Sequence, residues 1–394
     1  MGKPEIRFKG YTDEWEQRKF SDIAARESFV STSASDIPSV EYEDVVAEEG
    51  RLNKDIRLKE AVKSGITFDG SQVLYGKLRP YLHNWLNPDF KGIAVGDWWV
   101  LKPINMDKNF LYRLIQTQQF DNIANQSSGS KMPRADWNLI SNSEFMVPFS
   151  KEEQSKIGRY FDSLDNLITL QQRKCDEVKS LKKYMLQKMF PQNEQKVPEI
   201  RFEGFTEAWE QRKLGDVLER RIEQRQQSEE YPRLAFASGQ GVIPLSERKT
   251  NNREQLTKDE YTKKYLVTEL NDIVYNPANV KYGAIDRNKC RRGLISPIYV
   301  TFTTNEIPGF IERIVTSHDF QQRALRFEEG TVTKRQSVNP EDLVTLDILV
   351  APKREEQQKI ATYFDSLDHL ITLHQQKCEE LKKIKKFMLQ KMFV

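Results

Sequence analysis

Cysteine, histidine and any excess of one charge are all scarce in this chain. The three cysteines, Cys175, Cys290 and Cys378, are too few and too far apart for a disulfide framework, and no CxxC or paired Cys/His spacing points to zinc. The four histidines, His83, His318, His369 and His374, are scattered. No P-loop, glycine-rich dinucleotide fingerprint or HExxH motif occurs, so the chain reads as non-catalytic, with no metal. No apolar run approaches a membrane span, and the opening MGKPEIRFKG lacks the charged-then-apolar layout of a secretory signal. A soluble cytoplasmic protein is expected. With 61 Lys+Arg against 58 Asp+Glu, the net charge of +3 does not by itself announce a nucleic-acid binder, so any such role must rest on local clusters.

What the chain has is duplication. Residues 151–190, KEEQSKIGRYFDSLDNLITLQQRKCDEVKSLKKYMLQKMF, return at 354–393 with 28 of 40 positions identical, and PEIRFKGYTDEWEQRK at 4–19 returns at 198–213 with 12 of 16 identical. The stretches between, roughly 20–150 and 214–353, share almost no sequence. At 394 residues the chain is too long for one ordinary core. The expected organisation is a first domain at 1–150, a helix at 151–190, a linker with the second constant segment and second domain at 191–353, and a second helix at 354–394.

In the first long repeat Ile157, Phe161, Leu164, Ile168, Gln171, Cys175, Val178, Leu181, Met185 and Met189 recur at steps of three or four. The second matches every position with Ile360, Phe364, Leu367, Ile371, His374, Cys378, Leu381, Ile384, Met388 and Met392. That spacing predicts a helix with one apolar stripe, leaving Lys182, Lys183, Lys382 and Lys383 off it. Forty residues of helix are about 60 Å long, more than one small domain needs, so each stripe wants a partner. The short linker after Pro191 favours an antiparallel pair with a domain near each end, and the polar Gln171 and His374 are expected to fix its register.

Both variable segments read as mixed α/β. The first offers strand-like Val73-Leu74-Tyr75 and Ile93-Ala94-Val95, then one helix from Asn109 to Ala124; the second offers Asp272 to Tyr275, GLISPIYVTF at 293–302 as one strand, and a helix ending near Leu325. Lys77, Arg79 and Tyr81 project from a loop after a strand, where readout residues tend to sit. Lys281, Arg287, Lys289, Arg291 and Arg292 form the densest basic run outside the helices, suited to phosphate. Lys131 and Arg134 in one polar loop, and Lys334, Arg335 and Gln336 in another, suit phosphate and base edges. Asn276-Pro277-Ala278-Asn279 departs at both last positions from the Asn-Pro-Pro-Tyr loop of amino-methyltransferases and has no accompanying cofactor loop, so that reading is rejected.

PEIRFKGYTDEWEQRK with its repeat, Glu-Glu-Gln followed by Ile at 152–157 and 355–360, and FDSLDNLITL and FDSLDHLITL together resemble the specificity subunits of type I restriction-modification systems. The resemblance covers essentially the whole chain. It implies two target-recognition domains, each reading half of a bipartite double-stranded DNA sequence, joined by two conserved helices in an antiparallel coiled coil with a pseudo-two-fold internal repeat. It also implies two methyltransferase and two restriction subunits as partners, which would carry S-adenosylmethionine, ATP and Mg; this chain would hold no cofactor. The rival expectation is a non-catalytic coiled-coil scaffold with two protein-binding domains.

Overall fold

The computed structural model describes residues 2–126, 132–192, 195–237, 239–248, 263–329 and 337–394, with the backbone alone at 281, 328 and 329. The chain divides into two units, Met1–Lys174 with His374–Val394 and Cys175–Leu373. Each is built on the same plan.

In the first unit a four-stranded sheet runs in the order Ala24–Glu27, Trp98–Pro103, Val73–Gly76, Trp85–Leu86. Side chains alternate across it: Val73, Tyr75, Trp99 and Leu101 enter a core with Trp15, Phe110 and Phe161, while Leu74, Trp98 and Val100 enter a second core with Val40 and Phe68. Burial on both faces explains the near-continuous apolar run WWVL. The second unit repeats the order with Leu218–Arg221, Val300–Thr304, Ile273–Tyr275 and Ile285–Arg287. Its Ile273 and Tyr275 likewise face one core, and Val274 the other. Two expectations change here. The helix expected at 109–124 is two, Lys108–Leu114 and Gln118–Ala124, because the Thr117 side chain accepts from the Phe120 amide and starts a new helix; Ser317 does the same between Pro308–Val315 and His318–Ala324. The run 293–302 is likewise two strands, Gly293–Ile295 and Val300–Thr304, parted by a turn containing Pro297, which lacks a ladder donor.

The constant segments close each unit. Strand Glu16–Lys19 pairs antiparallel with Glu144–Val147, and Glu210–Lys213 with Asp347–Val350, so each variable stretch enters and leaves beside itself, just before a long helix. Ile6 N donates to Lys391 O (2.9 Å) and Ile200 N to Lys188 O (2.8 Å), tying each constant segment to a helix end.

The long helices are Lys151–Lys188 and Arg354–Lys391. In the first unit Ile157, Phe161, Leu164 and Ile168 share a core with Cys378, Leu381, Met392 and Phe393; in the second Met189 joins Ile360, Phe364 and Leu367. Rising numbers on one helix meet falling numbers on the other: Phe161 lies against Phe393, Asp165 against Lys385 and Gln171 against His374. The pairing is antiparallel in each unit. The polar stripe positions meet, His374 Nδ1 lying 2.7 Å from Gln171 Oε1. The stripe departs from expectation at Leu181 and Ile384, which are 44% and 36% exposed. Each step of three falls about 60° short of a turn, so two of them carry Leu181 off the line from Cys175, whereas a step of seven returns Lys182 to it. Lys182, expected off the stripe, accordingly pairs with Asp368.

Candidate nucleic-acid interface

Strand Val73–Gly76 runs into a loop that three chain segments hold in place. Lys77 N donates to Asp97 O (2.9 Å), Ala135 N to Lys77 O (2.8 Å) and Arg79 N to Pro133 O (2.7 Å). The Tyr42 hydroxyl accepts from Leu78 N at 3.1 Å and donates to Asp97 O at 2.5 Å. Burial pushes the Tyr42 phenol above its ordinary pKa, which keeps that proton in place. Arg134 Nε and Nη2 reach Asp97 at 3.3 and 3.0 Å, with Lys77 Nζ at 3.5 Å. The Arg134 guanidinium thereby holds the Asp97 carboxyl below the usual range. Arg79 and His83 take φ of +49° and +53°, strained for residues with a Cβ. Arg79 Nε is buried without a hydrogen-bond partner among the described residues, and Tyr81 is 53% exposed at the tip.

The counterpart strand Ile273–Tyr275 also runs into a 3-10 turn, Pro277–Tyr282, opened by Asn276 Oδ1 accepting from Ala278 N at 3.1 Å. Gly283 closes it at φ +70°, the region that favours glycine. Tyr275 Oη donates to Val338 O at 3.2 Å, tying the strand to the segment before the long helix. Tyr282, the last residue of this turn, is 66% exposed, so this loop too carries an exposed tyrosine. Sequence reasoning missed Tyr282, because only the shared strand order brings the two loops into correspondence. The Asn276–Asn279 motif, rejected as a methyltransferase loop, falls on this turn. Lys281 lies on it too, its side chain outside the described residues.

The basic run at 287–292 is not one surface patch. Arg287 turns inward: Nε donates to Glu312 at 2.6 Å, Nη1 to Asn271 at 3.1 Å, and Nη2 to both Asp365 oxygens at 2.8 and 2.9 Å. Lys289 Nζ lies 2.5 Å from the same buried Glu312, and Arg292 reaches Glu269 and Glu230, each at 2.8 Å. These cations neutralise carboxylates of their own unit. Arg291 is exposed and has no side-chain partner among the described residues. Lys131, Lys334, Arg335 and Gln336, expected to suit phosphate and base edges, lie outside the described residues. Among the described residues no group of His, Cys, Asp or Glu could hold a metal ion, and no helix is long and apolar enough to cross a membrane.

The loops therefore offer rigid, partly cationic and aromatic tips carried by a repeated sheet. Residues 13–180 match the family model described as the type I restriction modification DNA specificity domain. The crystal structure of a type I restriction-modification system S subunit from M. genitalium is similar over 100% of this chain and 99% of its own, with a TM-score of 0.65 at 12% identity. A chain from a structure described as the basis of complex assembly and conformational transition of the type I R-M system is similar over 97% and 98%, with a TM-score of 0.50 at 16% identity. At these identities the likeness is one of fold. The comparison with curated proteins returns no significant relative.

Proposed function

We propose that the chain is a specificity subunit of a type I restriction-modification system, whose part is DNA specificity and not catalysis, and that each of its units reads one half of a bipartite double-stranded DNA target. One observation carries the reading. Two segments with almost no common sequence build the same sheet order, and each ends its equivalent strand in a braced turn with an exposed tyrosine. Such a frame holds geometry constant while loop side chains vary, which is what two different addresses require. Arg79, Tyr81, Lys77 and Arg134 are the candidates in the first unit, and Arg291, Tyr282 and Lys281 in the second.

The long helices set the gap between half-sites and dock the partners. In support, Leu167, Leu170, Ile384 and Phe387 lie exposed in the first unit, and their repeat counterparts Leu370, Leu373, Leu181 and Tyr184 in the second. Each unit thus carries the same uncovered apolar set, which suits one methyltransferase subunit per unit, two in all, with two restriction subunits completing the complex. S-adenosylmethionine, ATP and Mg belong to those partners, in the cytoplasm where the DNA lies. Sequencing of methylated adenines in a host expressing this chain with its methyltransferase tests the reading. One motif of two short halves around an unread gap is expected; a single contiguous motif would refute it.

A further inference from the structure

We propose that Arg113 and Arg313 are positioning residues, each clamping the reading region of its unit to both long helices and so fixing the gap at which that unit accepts its half-site. This rests on bipartite reading. Arg113 stands on the short helix Lys108–Leu114, whose Phe110 and Leu111 share the core of the reading sheet. Its guanidinium is almost fully buried and spans two carboxylates of one long helix, Nη2 to Asp162 Oδ1 and Nη1 to Asp165 Oδ2, each at 2.6 Å. The other oxygen of Asp165 accepts from Lys385 Nζ of the second long helix at 2.7 Å. One carboxylate joins the reading region to both helices.

The second unit repeats the device. Arg313, on Pro308–Val315, reaches Asp365 at 2.8 Å and Asp368 at 3.0 Å, and Asp368 also takes Lys182 of the other helix. Asp162 and Asp165 correspond to Asp365 and Asp368 in the repeated FDSLD, and Lys385 to Lys182. The arginines come instead from LYRLIQ and IERIVT, within segments that otherwise share almost nothing. Buried ion pairs contribute little net stability compared with apolar packing of the same volume, so their presence in both units is better explained by geometry than by stability. A planar guanidinium bridging two carboxylates a turn apart fixes direction as well as distance, which a lysine cannot do.

The test is Arg113→Lys and, separately, Arg313→Lys, which keep the charge and lose the bridge. Each is expressed with the methyltransferase partner and read by sequencing of methylated adenines, with thermal unfolding as a folding check. Expected is an unchanged pair of half-site sequences and about a tenfold rise in methylation at gaps one base pair from the parent's, the factor that corresponds to about 1.4 kcal/mol. A folded variant with the parent's single gap overturns the clamp, whether methylation falls overall or one half-site sequence changes. A parent protein without a bipartite motif sinks the bipartite reading instead, and the two failures are distinct. Should one variant fail to fold, its counterpart in the other unit decides.

Discussion

Replacing Arg7 by methionine should show why the short N-terminal repeat exists. Arg7 Nε and Nη2 meet the two oxygens of Glu153 at 2.6 and 2.7 Å, and Nη1 donates to Asp13 O at 2.5 Å. Glu153, in the first turn of the long helix, is 1% exposed. Its counterpart Glu356 is held the same way by Arg201 at 2.6 and 2.7 Å. Methionine keeps the apolar stem and leaves a carboxylate buried without its cation, a change that costs about 3–5 kcal/mol. Arg7 retains some exposure, which places the expected loss near the lower figure. For a unit of about 200 residues, about 3 kcal/mol lowers the melting temperature by roughly 6–12 °C. Circular dichroism melts of Arg7→Met, Glu153→Gln and the double variant form a cycle, with Arg201→Met as the matched change in the second unit. The double variant should regain much of the loss, since a neutral amide tolerates burial better than an unpaired carboxylate. A loss below about 1 kcal/mol, the range of an exposed pair, would refute the strap.

Further expectations concern packing, phosphate contact and helix length. Gly158→Ala places a Cβ 2.6 Å from Asn109 Cβ and should cost about 1–3 kcal/mol. Adding Asn109→Gly should restore stability, because the second unit already sets Ala361 against Gly309; a neutral single change in a urea titration would contradict this. Arg291→Ala should lower the salt slope of DNA binding by the complex by about 0.9 for one lost phosphate contact. Arg287→Met should lower stability and leave that slope intact, and equal slopes for parent and Arg291→Ala would remove Arg291 from the interface. Four residues inserted into each long helix add about 6 Å and should widen the unread gap without altering either half-site. Methylation mapping that returns the parent's gap would contradict the ruler.

The repeats made the antiparallel helices, the seam from Ile157 to Ile168 and the closing role of the constant segments legible, because apolar spacing and duplication are local signals. Leu181 and Ile384 were misplaced since three-residue steps slip off a 3.6-residue turn, and Lys182 was missed for the same reason. Arg113 and Arg313 left no trace: a single cation in an apolar helix gains meaning only when an aspartate pair from a distant segment meets it. The basic run at 287–292 was legible as charge but not as direction, for Glu312, Glu269 and Glu230 come from elsewhere in the chain and absorb Arg287, Lys289 and Arg292. The loop at 276–283 carried weak chemical signals, and strand order alone makes it the counterpart of the loop at 77–83.

Pairing of Glu16–Lys19 with Glu144–Val147 makes residues 20–150 a module that enters and leaves at one place. The central claim is that two such modules read independently. Residues 20–150 should therefore be exchanged for the corresponding segment of a type I specificity subunit, and methylated adenines mapped in a host carrying the chimera and its methyltransferase. The account predicts a motif with one new half, one unchanged half and the parent's gap. A motif in which both halves change would contradict it.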